Sequence, residues 1–418
     1  MHVLYLTTEL PFPAVSGGRV RTAADLTLLE SLPEVRSVDL LCLEEEPSPP
    51  EALREVAEKL PKARLLGPIF HPIHLKKFPH YLPLVAALRV VPGYPYLAGK
   101  WASVAVAKAI VKACRARRPD VVYVDHLGMM VYERLLSRLV PGVRIVLGQH
   151  NVESDFFAQF AEKKRGIVRL VAELETARAR TFERDAMRRA DAVVAISSTD
   201  RDAFEKLAGI RAHVVPQVVR FERTEWEPKA SPRLVYVGNL SWHPNVAGLD
   251  WFVKEAWPEV RRLVPEVVLD VIGSGLPRDA NGKEIVPKNW LAPGIVVHGF
   301  AKELAPHYAN ASVFLAPILG GSGVRIKLLE GFRAGLPLVT TTAGALGLPV
   351  ESGRELLVSD DPTELARHVA TLLGDVALQR TLRQNAFDFL EREHGLAKAQ
   401  GVLRDALGIS PREATRTP

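Results

Sequence analysis

Between Pro317 and Thr341 the chain sets a glycine-rich turn, Gly320-Gly321-Ser322-Gly323, against a helix that begins with two cations, Arg325 and Lys327, and continues to Glu330. Glycines let backbone N–H groups come close to a ligand, and a helix N-terminus adds positive potential. The guanidinium and ammonium add full charges, so the segment has the makings of a phosphate site. Glu330 follows Lys327 by three residues and shares its face of the helix, where a carboxylate can accept hydrogen bonds from sugar hydroxyls. A diphosphate joined to a sugar on one side and a ribose on the other would engage every one of these groups. The segment alone also admits a plainer reading, a glycine-softened helix start with solvated charges.

Short Val, Leu and Ile runs alternate with longer amphipathic stretches along the chain, the pattern of parallel sheets flanked by helices. The spacing predicts strands at 3–7, 38–43, 121–124, 144–147, 192–196 and 213–215, then at 234–237, 267–272, 295–298, 313–316, 338–341 and 356–358. A chain of 418 residues exceeds what one core usually serves. The expected fold is α/β, with two doubly wound parallel-sheet (Rossmann-like) domains facing across a cleft. The expected division is 1–215, a linker at 216–232 that carries prolines, 233–394, and a C-terminal helix with a frayed tail at 395–418 that crosses back to the first domain. Ligands of open α/β sheets bind beyond the carboxyl ends of the strands, and the candidate loops fall at that edge. Gly17-Gly18 follows the first strand, His150 the fourth, Gly238-Asn239 the first strand of the second half, and Gly321 its fourth. Gly273-Ser274-Gly275 follows the second strand there, but without a third glycine or a ribose-binding acid it is a weak dinucleotide signal.

Charge and composition exclude other classes. The formal charge of +6 is 54 basic minus 48 acidic residues, and much of the excess lies on Lys163, Lys164, Arg165, Arg169, Arg178, Arg180, Arg184, Arg188 and Arg189, which read as one long helix. Interspersed Glu173, Glu175, Glu183 and Asp185 favour a solvated face with intrahelical pairs; attraction to an anionic membrane surface is the functional alternative. Nucleic acid is not an expected partner, because stacking aromatics do not interleave these cations. Cys42 and Cys114 show no metal or redox spacing and read as reduced, buried thiols of a cytosolic protein. No apolar run reaches the roughly 18 residues of a spanning helix, and Met1–Leu6 leads into a strand without a charged leader, so no export signal is expected. Asp200-Arg201-Asp202 fits a D-x-D formula but follows Ser197-Ser198-Thr199 at a helix start, where carboxylates complement the dipole. The twelve histidines show no metal-ligand spacing, and no metal is expected.

Pro317, then Gly323-x-Arg325-x-Lys327-x-x-Glu330, then Ala334-Gly335-Leu336-Pro337-Leu338-Val339-Thr340-Thr341 resembles the donor-binding signature of the family 4 retaining glycosyltransferases of GT-B fold. Gly17-Gly18, His150-Asn151 and Gly238-Asn239 fit the same family, so the resemblance covers nearly the whole chain and is best from about 234 to 348. It implies sugar transfer from a UDP- or GDP-sugar, with no cofactor, to a glycan or lipid-linked acceptor in cell-surface polysaccharide or glycolipid synthesis. It further implies a cytoplasmic enzyme, peripheral at the inner membrane face. In that light Arg325, Lys327 and amides around Gly321, Ser322 and Gly323 hold the diphosphate, Glu330 the ribose, and the Gly273 loop the base. The Gly17-Gly18 loop would offer amides to phosphates and acceptor, and His150 would meet the donor sugar through its backbone carbonyl.

The chain departs from the family at three places. Ser322 stands where many members have a sugar-binding glutamate, and Val214-Val215-Pro216-Gln217 lacks the usual asparagine after proline. Gly238-Asn239-Leu240-Ser241-Trp242-His243-Pro244-Asn245 lacks the customary arginine and lysine. A degenerate GT-B protein serving as a sugar-binding or membrane-associated scaffold, or a nucleotide-sugar epimerase, are the alternatives these departures leave open. If Arg325 and Lys327 replace the missing cations, Arg325→Ala weakens donor binding by about 1.5 to 3 kcal/mol, the range of a charge-assisted hydrogen bond. Calorimetric titration with the donor reads this directly, and unchanged affinity would refute the compensation.

Overall fold

The structure is a computed structural model describing residues 1–14, 17–71, 94–162, 164–223, 227, 229, 231–279, 282, 284–320 and 326–409. It divides into two compact units, Met1–Val218 with Leu396–Pro418, and Val219–Gly395. Each is built on a sheet whose pairings are all parallel among the described residues.

In the first unit β1 (His2–Leu6), β2 (Ser37–Leu41), β4 (Ala63–Leu65), β6 (Val121–Asp125), β7 (Arg144–Gly148), β8 (Ala192–Ala195) and β9 (His213–Val214) form a seven-stranded sheet in the order β4-β2-β1-β6-β7-β8-β9. Parallel strands covered by helices on both faces must be apolar on both, and β1 and β6 are buried along their whole length. Alternate residues then serve opposite cores. Leu4, Leu6, Val122, Val124 and Leu147 face one, and Val3, Tyr5, Val121, Tyr123 and Val146 the other. Tyr5 and Tyr123 stack at 4.9 Å between ring centroids. The C-terminal helix Leu396–Leu407 lays Ala399, Leu403, Ala406 and Leu407 into that second core. It is tied down where Arg144 Nε donates to the Ala406 carbonyl at 2.9 Å.

The second unit holds β10 (Arg233–Val237), β11 (Val268–Ile272), β12 (Ile295–Gly299), β13 (Val313–Ala316), β14 (Leu338–Thr340) and β15 (Leu357–Val358), in the order β12-β11-β10-β13-β14-β15. Both sheets are α/β doubly wound, and in each the first and fourth of its strands in chain order are neighbours. That adjacency leaves a crevice at the carboxyl edge of each sheet, where the chain departs in opposite directions.

Two expectations need correction. The predicted strand 38–43 is broken: β2 ends at Leu41, and β3 (Leu43–Glu44) leaves to pair with β5 (Ile69–Phe70) in a separate two-stranded sheet. The basic run from Lys163 to Arg189 is also not one helix. A helix at Glu153–Glu162 ends before it, and a second spans Gly166–Arg189, with Gly166 at φ +59, a left-handed value that starts a new direction cheaply only at glycine. Lys164 and Arg165 lie in the break.

The second helix of this pair also fixes the loop after β7. Glu183 is fully buried, and its Oε1 accepts from Gln149 Nε2 at 2.6 Å and from the Glu153 amide at 2.8 Å, while Oε2 accepts from the Ser154 amide at 3.0 Å. One carboxylate thus satisfies orphan donors at the start of a neighbouring helix. Burial pushes its pKa up, against the pull of these hydrogen bonds. Glu183→Ala strips the helix start of its acceptor and is expected to lower stability by about 2 to 4 kcal/mol. Urea unfolding followed by circular dichroism measures the loss.

Candidate functional site

In the first unit the polar groups gather where β1 and β6 end. Asp125, the last residue of β6, is fully buried. Its Oδ2 accepts from Thr7 Oγ1 at 2.9 Å and Thr22 Oγ1 at 2.6 Å, and its Oδ1 from His150 Nε2 at 2.6 Å. Burial alone would raise this carboxyl, but His150, His126 and the hydrogen bonds from His150 and Thr22 outweigh it and hold the group well below the usual carboxylate range. Burial lowers His150, and Asp125 reverses this to leave it above the ordinary imidazole value. Gly17 and Gly18 open the helix Gly17–Ser31 that carries Thr22, so they and His150 share one edge of the sheet.

His126 follows at φ 76, the one non-glycine residue with positive φ among those described. Such a conformation costs on the order of 1 to 3 kcal/mol and marks a position held for a purpose. Its ring lies 4.0 Å from that of His150, between centroids, and its buried Nε2 has no hydrogen-bond partner among the described residues. Burial and the neighbouring His150 bring its pKa down to about 4, so at neutral pH it is an uncharged imidazole. His126 also borders a cavity of about 530 Å³ with Thr8, Leu10, Lys100, Trp101 and Glu153. Asp125, His126 and His150 each offer a ligating atom within 4.8 Å of the others and are the set here that could hold a metal ion. Both oxygens of Asp125 are already engaged by hydrogen-bond donors.

In the second unit the equivalent position lies where β10 and β13 end. Gly238 and Gly273 touch through backbone: a Cβ on Gly273 would stand 1.8 Å from the Gly238 carbonyl oxygen, so only glycine fits. The Asn239 side chain turns back on its own exposed loop, where Oδ1 accepts from the Ser241 amide at 2.8 Å and from Ser241 Oγ at 2.7 Å. Lys327, in the helix Ile326–Arg333, reaches back to this loop. Its Nζ donates to the Tyr236 hydroxyl at 3.1 Å and to Asn245 Oδ1 at 3.2 Å, and lies 4.2 Å from the centre of the Tyr236 ring. A Cβ on Gly238 would be 2.9 Å from it. Every one of these partners is neutral. Burial therefore draws the ammonium down to about 7, with only partial relief from Glu330. Glu330 sits one turn along the helix, 3.8 Å from Arg333.

Gly238, Asn239, Gly273 and Lys327 are thus one constellation, with Glu330 beside it. Gly321, Ser322, Gly323 and Arg325 lie outside the described residues. Asp200 of the D-x-D triplet accepts from Ser197 Oγ at 2.6 Å, and its own amide donates back to that oxygen at 3.1 Å, a helix cap.

Set against known proteins, residues 37–223 match the description Glycosyltransferase Family 4 and residues 231–375 the description Glycosyl transferases group 1. Both halves of the chain are thus glycosyltransferase domains, the first matching family 4. It is similar to a Klebsiella pneumoniae protein described as an uncharacterized 44.6 kDa protein in the cps region, 23% identical over 95% of this chain and 97% of that one. A GDP-mannose-dependent alpha-(1-6)-phosphatidylinositol monomannoside mannosyltransferase of Mycolicibacterium smegmatis is 28% identical over 55% of this glycosyltransferase and 69% of its own length. Among solved structures, sucrose-phosphate synthase from Thermosynechococcus elongatus aligns with a TM-score of 0.65 at 17% identity, covering 98% of this chain and 100% of that one. Anabaena HepE in complex with UDP aligns at 0.60 with 16% identity, again over 98% and 100%. These likenesses establish the GT-B fold.

Asp125, His126, Tyr236 and Asn245 were not foreseen as site residues. A polar pair directly after the apolar run Val121–Val124, the third forecast strand, is the signal that could have found the first two.

Lys327 has a folded pKa far below its unfolded value of 10.5, so between pH 7 and 10.5 the unfolded chain binds the extra proton and stability rises with pH. Lys327→Met removes the buried ammonium. The variant is expected to be more stable than the parent at pH 7, with the gap closing as the pH approaches about 10. Paired thermal melts across that range test the sign.

Proposed function

We propose that this glycosyltransferase moves a sugar from a nucleoside diphosphate sugar to a glycan or lipid-linked acceptor, with retention at the anomeric carbon and without a metal ion. The observation that carries the donor class is Lys327, a partly buried cation held by neutral groups beside the Gly238–Gly273 contact. Glu330 offsets that charge only in part, and a diphosphate would supply the rest. HepE, of the same fold, has been crystallised with UDP and with UDP-glucose, and the mycobacterial relative is named for GDP-mannose, so either base is admitted.

Cleavage of the bond between the anomeric carbon and the diphosphate oxygen leaves negative charge on the departing nucleotide. Lys327, with Arg325 and the amides of Gly321–Gly323, stabilises that charge more in the transition state than in the ground state. The acceptor hydroxyl attacks from the face the nucleotide leaves, and its proton passes to the departing phosphate oxygen. The products are the glycosylated acceptor and the nucleoside diphosphate. In this scheme Glu330 holds the ribose, the Gly273 loop the base, and His150 the donor sugar, the last kept in place by Asp125. Protein cations take the neutralising role that a metal would otherwise fill. A role on the cytoplasmic side in cell-surface polysaccharide or glycolipid synthesis accords with the cps region in the Klebsiella relative's name.

A panel of UDP- and GDP-sugars screened by thermal shift identifies the donor, since a ligand at 100 times its dissociation constant stabilises by about 2.7 kcal/mol. The product's anomeric configuration, read by NMR coupling constants in the presence of EDTA, then tests the rest. Inversion, or activity lost to the chelator, would overturn the mechanism, and an altered sugar formed from donor alone would indicate an epimerase.

A further inference from the structure

Three neighbouring strands of the second sheet, β12, β11 and β10, end side by side at its carboxyl edge. The middle one releases Gly273-Ser274-Gly275, a turn whose only side chain beyond hydrogen is that of Ser274. Backbone groups join it to both neighbours. The Gly273 amide donates to the Gly299 carbonyl at 2.8 Å, and the Leu240 amide donates to the Ser274 carbonyl at 2.7 Å. A Cβ on Gly275 would stand 2.7 Å from the Ser241 amide nitrogen, so the loop after β10 presses directly on the turn. The residue after Gly299 is Phe300, and the residue after Ser241 is Trp242. A floor without bulk thus lies between one phenylalanine and one tryptophan.

Both rings face solvent. Phe300 is 71% exposed and Trp242 61%, the most exposed phenylalanine and tryptophan among the described residues. Neither is stacked on another ring or capped by a cation among those residues. Single apolar side chains on a surface are ordinary, but two large rings on either side of one glycine turn form a paired feature that calls for a ligand. The nearby cation says which ligand. Gly238, where β10 ends, is the residue whose Cβ would stand 2.9 Å from Lys327 Nζ, the group assigned to the donor's diphosphate. Neighbouring strands lie about 4.8 Å apart, so the step from β10 to β12 is on the order of 10 Å, which an extended nucleotide covers between its diphosphate and its base. A base presents two flat faces, and aromatic walls over a glycine floor match them.

We propose that Phe300 and Trp242 hold the donor's nucleobase by stacking on its faces above the Gly273–Gly275 turn. This rests on the donor reading above and names the side chains that grip the base. Every base carries a π-face, so UDP and GDP alike depend on the two rings.

Calorimetric titration of the full-length protein with UDP, GDP and inorganic pyrophosphate tests it, the last having the diphosphate without a base. Phe300→Ala and Trp242→Ala, both at exposed positions, should each weaken nucleotide binding by about 5- to 150-fold, the range of one base–aromatic stack. Pyrophosphate affinity and the melting temperature should stay at parental values. Phe300→Leu should lose nearly as much as the alanine variant, and Trp242→Phe should keep most of the binding, because the base meets a flat ring and not apolar bulk. Nucleotide affinity unchanged in either alanine variant, or full rescue by leucine, overturns the proposal and leaves the donor reading standing. A fall in pyrophosphate affinity equal to that for nucleotide overturns it too, since the rings would then act on the phosphate side. A parent protein that binds neither UDP nor GDP overturns the donor reading together with it.

Discussion

Parallel pairing is the constraint on which both candidate sites depend. A parallel strand begins at one edge of the sheet and releases its successor residue at the other, so every loop that follows a strand is delivered to the same edge. The order β4-β2-β1-β6 in one sheet and β12-β11-β10-β13 in the other then makes the first and fourth strands of each sheet, in chain order, neighbours. Thr7 and Asp125 meet because β1 and β6 end together, with Leu6 level with Val124. Lys327 can reach Tyr236 and the Gly238 turn because β13 lies beside β10. An antiparallel pairing at either place would send half of these groups to the opposite edge.

The two edges use that convergence in opposite electrostatic ways. At the first, charge is compensated internally: Asp125 accepts from three side chains, and each histidine is tuned by the arrangement, one toward the charged form and one toward the neutral. This is a scaffold that fixes orientation. At the second, the cation is desolvated and given only a phenol, an amide oxygen and a ring face. Its desolvation is offset only in part, by Glu330, so holding the ammonium there costs stability. Stability given up at a preorganised cation is the usual cost of electrostatic complementarity to a transition state.

The α/β class and the long strands were legible because apolar runs bounded by turn residues are the primary signal of buried parallel strands. The forecast 313–316 coincides with β13, and 121–124 and 144–147 fall one residue short of the ends of β6 and β7. The strands Ala63–Leu65 and Ile69–Phe70 were not legible, being too short for any period to show, whereas the equally short β9, β14 and β15 lie within the forecasts 213–215, 338–341 and 356–358. Glycines were readable as close-approach points, and Gly238 with Gly273 is such a pair. What these glycines approach was not readable, because Tyr236 and Asn245 are ordinary core and loop residues by type and enter the site through tertiary placement. His126 was hidden for another reason: its left-handed backbone is a property of the fold, invisible in a one-dimensional pattern.

The helix Gly166–Arg189 shows the same limit from the opposite side. Its cations dominate the sequence and invite a reading based on charge, yet charge alone does not separate a solvated face from a binding one. Ile167, Leu170, Val171 and Leu174 have the spacing of a core stripe, and periodicity would assign them to the interior. Only burial reveals that a second stripe, Ala172, Ala179, Phe182, Ala186 and Met187, occupies the interior instead. Ala172, Ala179 and Ala186 let the helix approach the body of the unit closely, Phe182 and Met187 fill the core beside them, and Ile167, Leu170, Val171 and Leu174 are left outside.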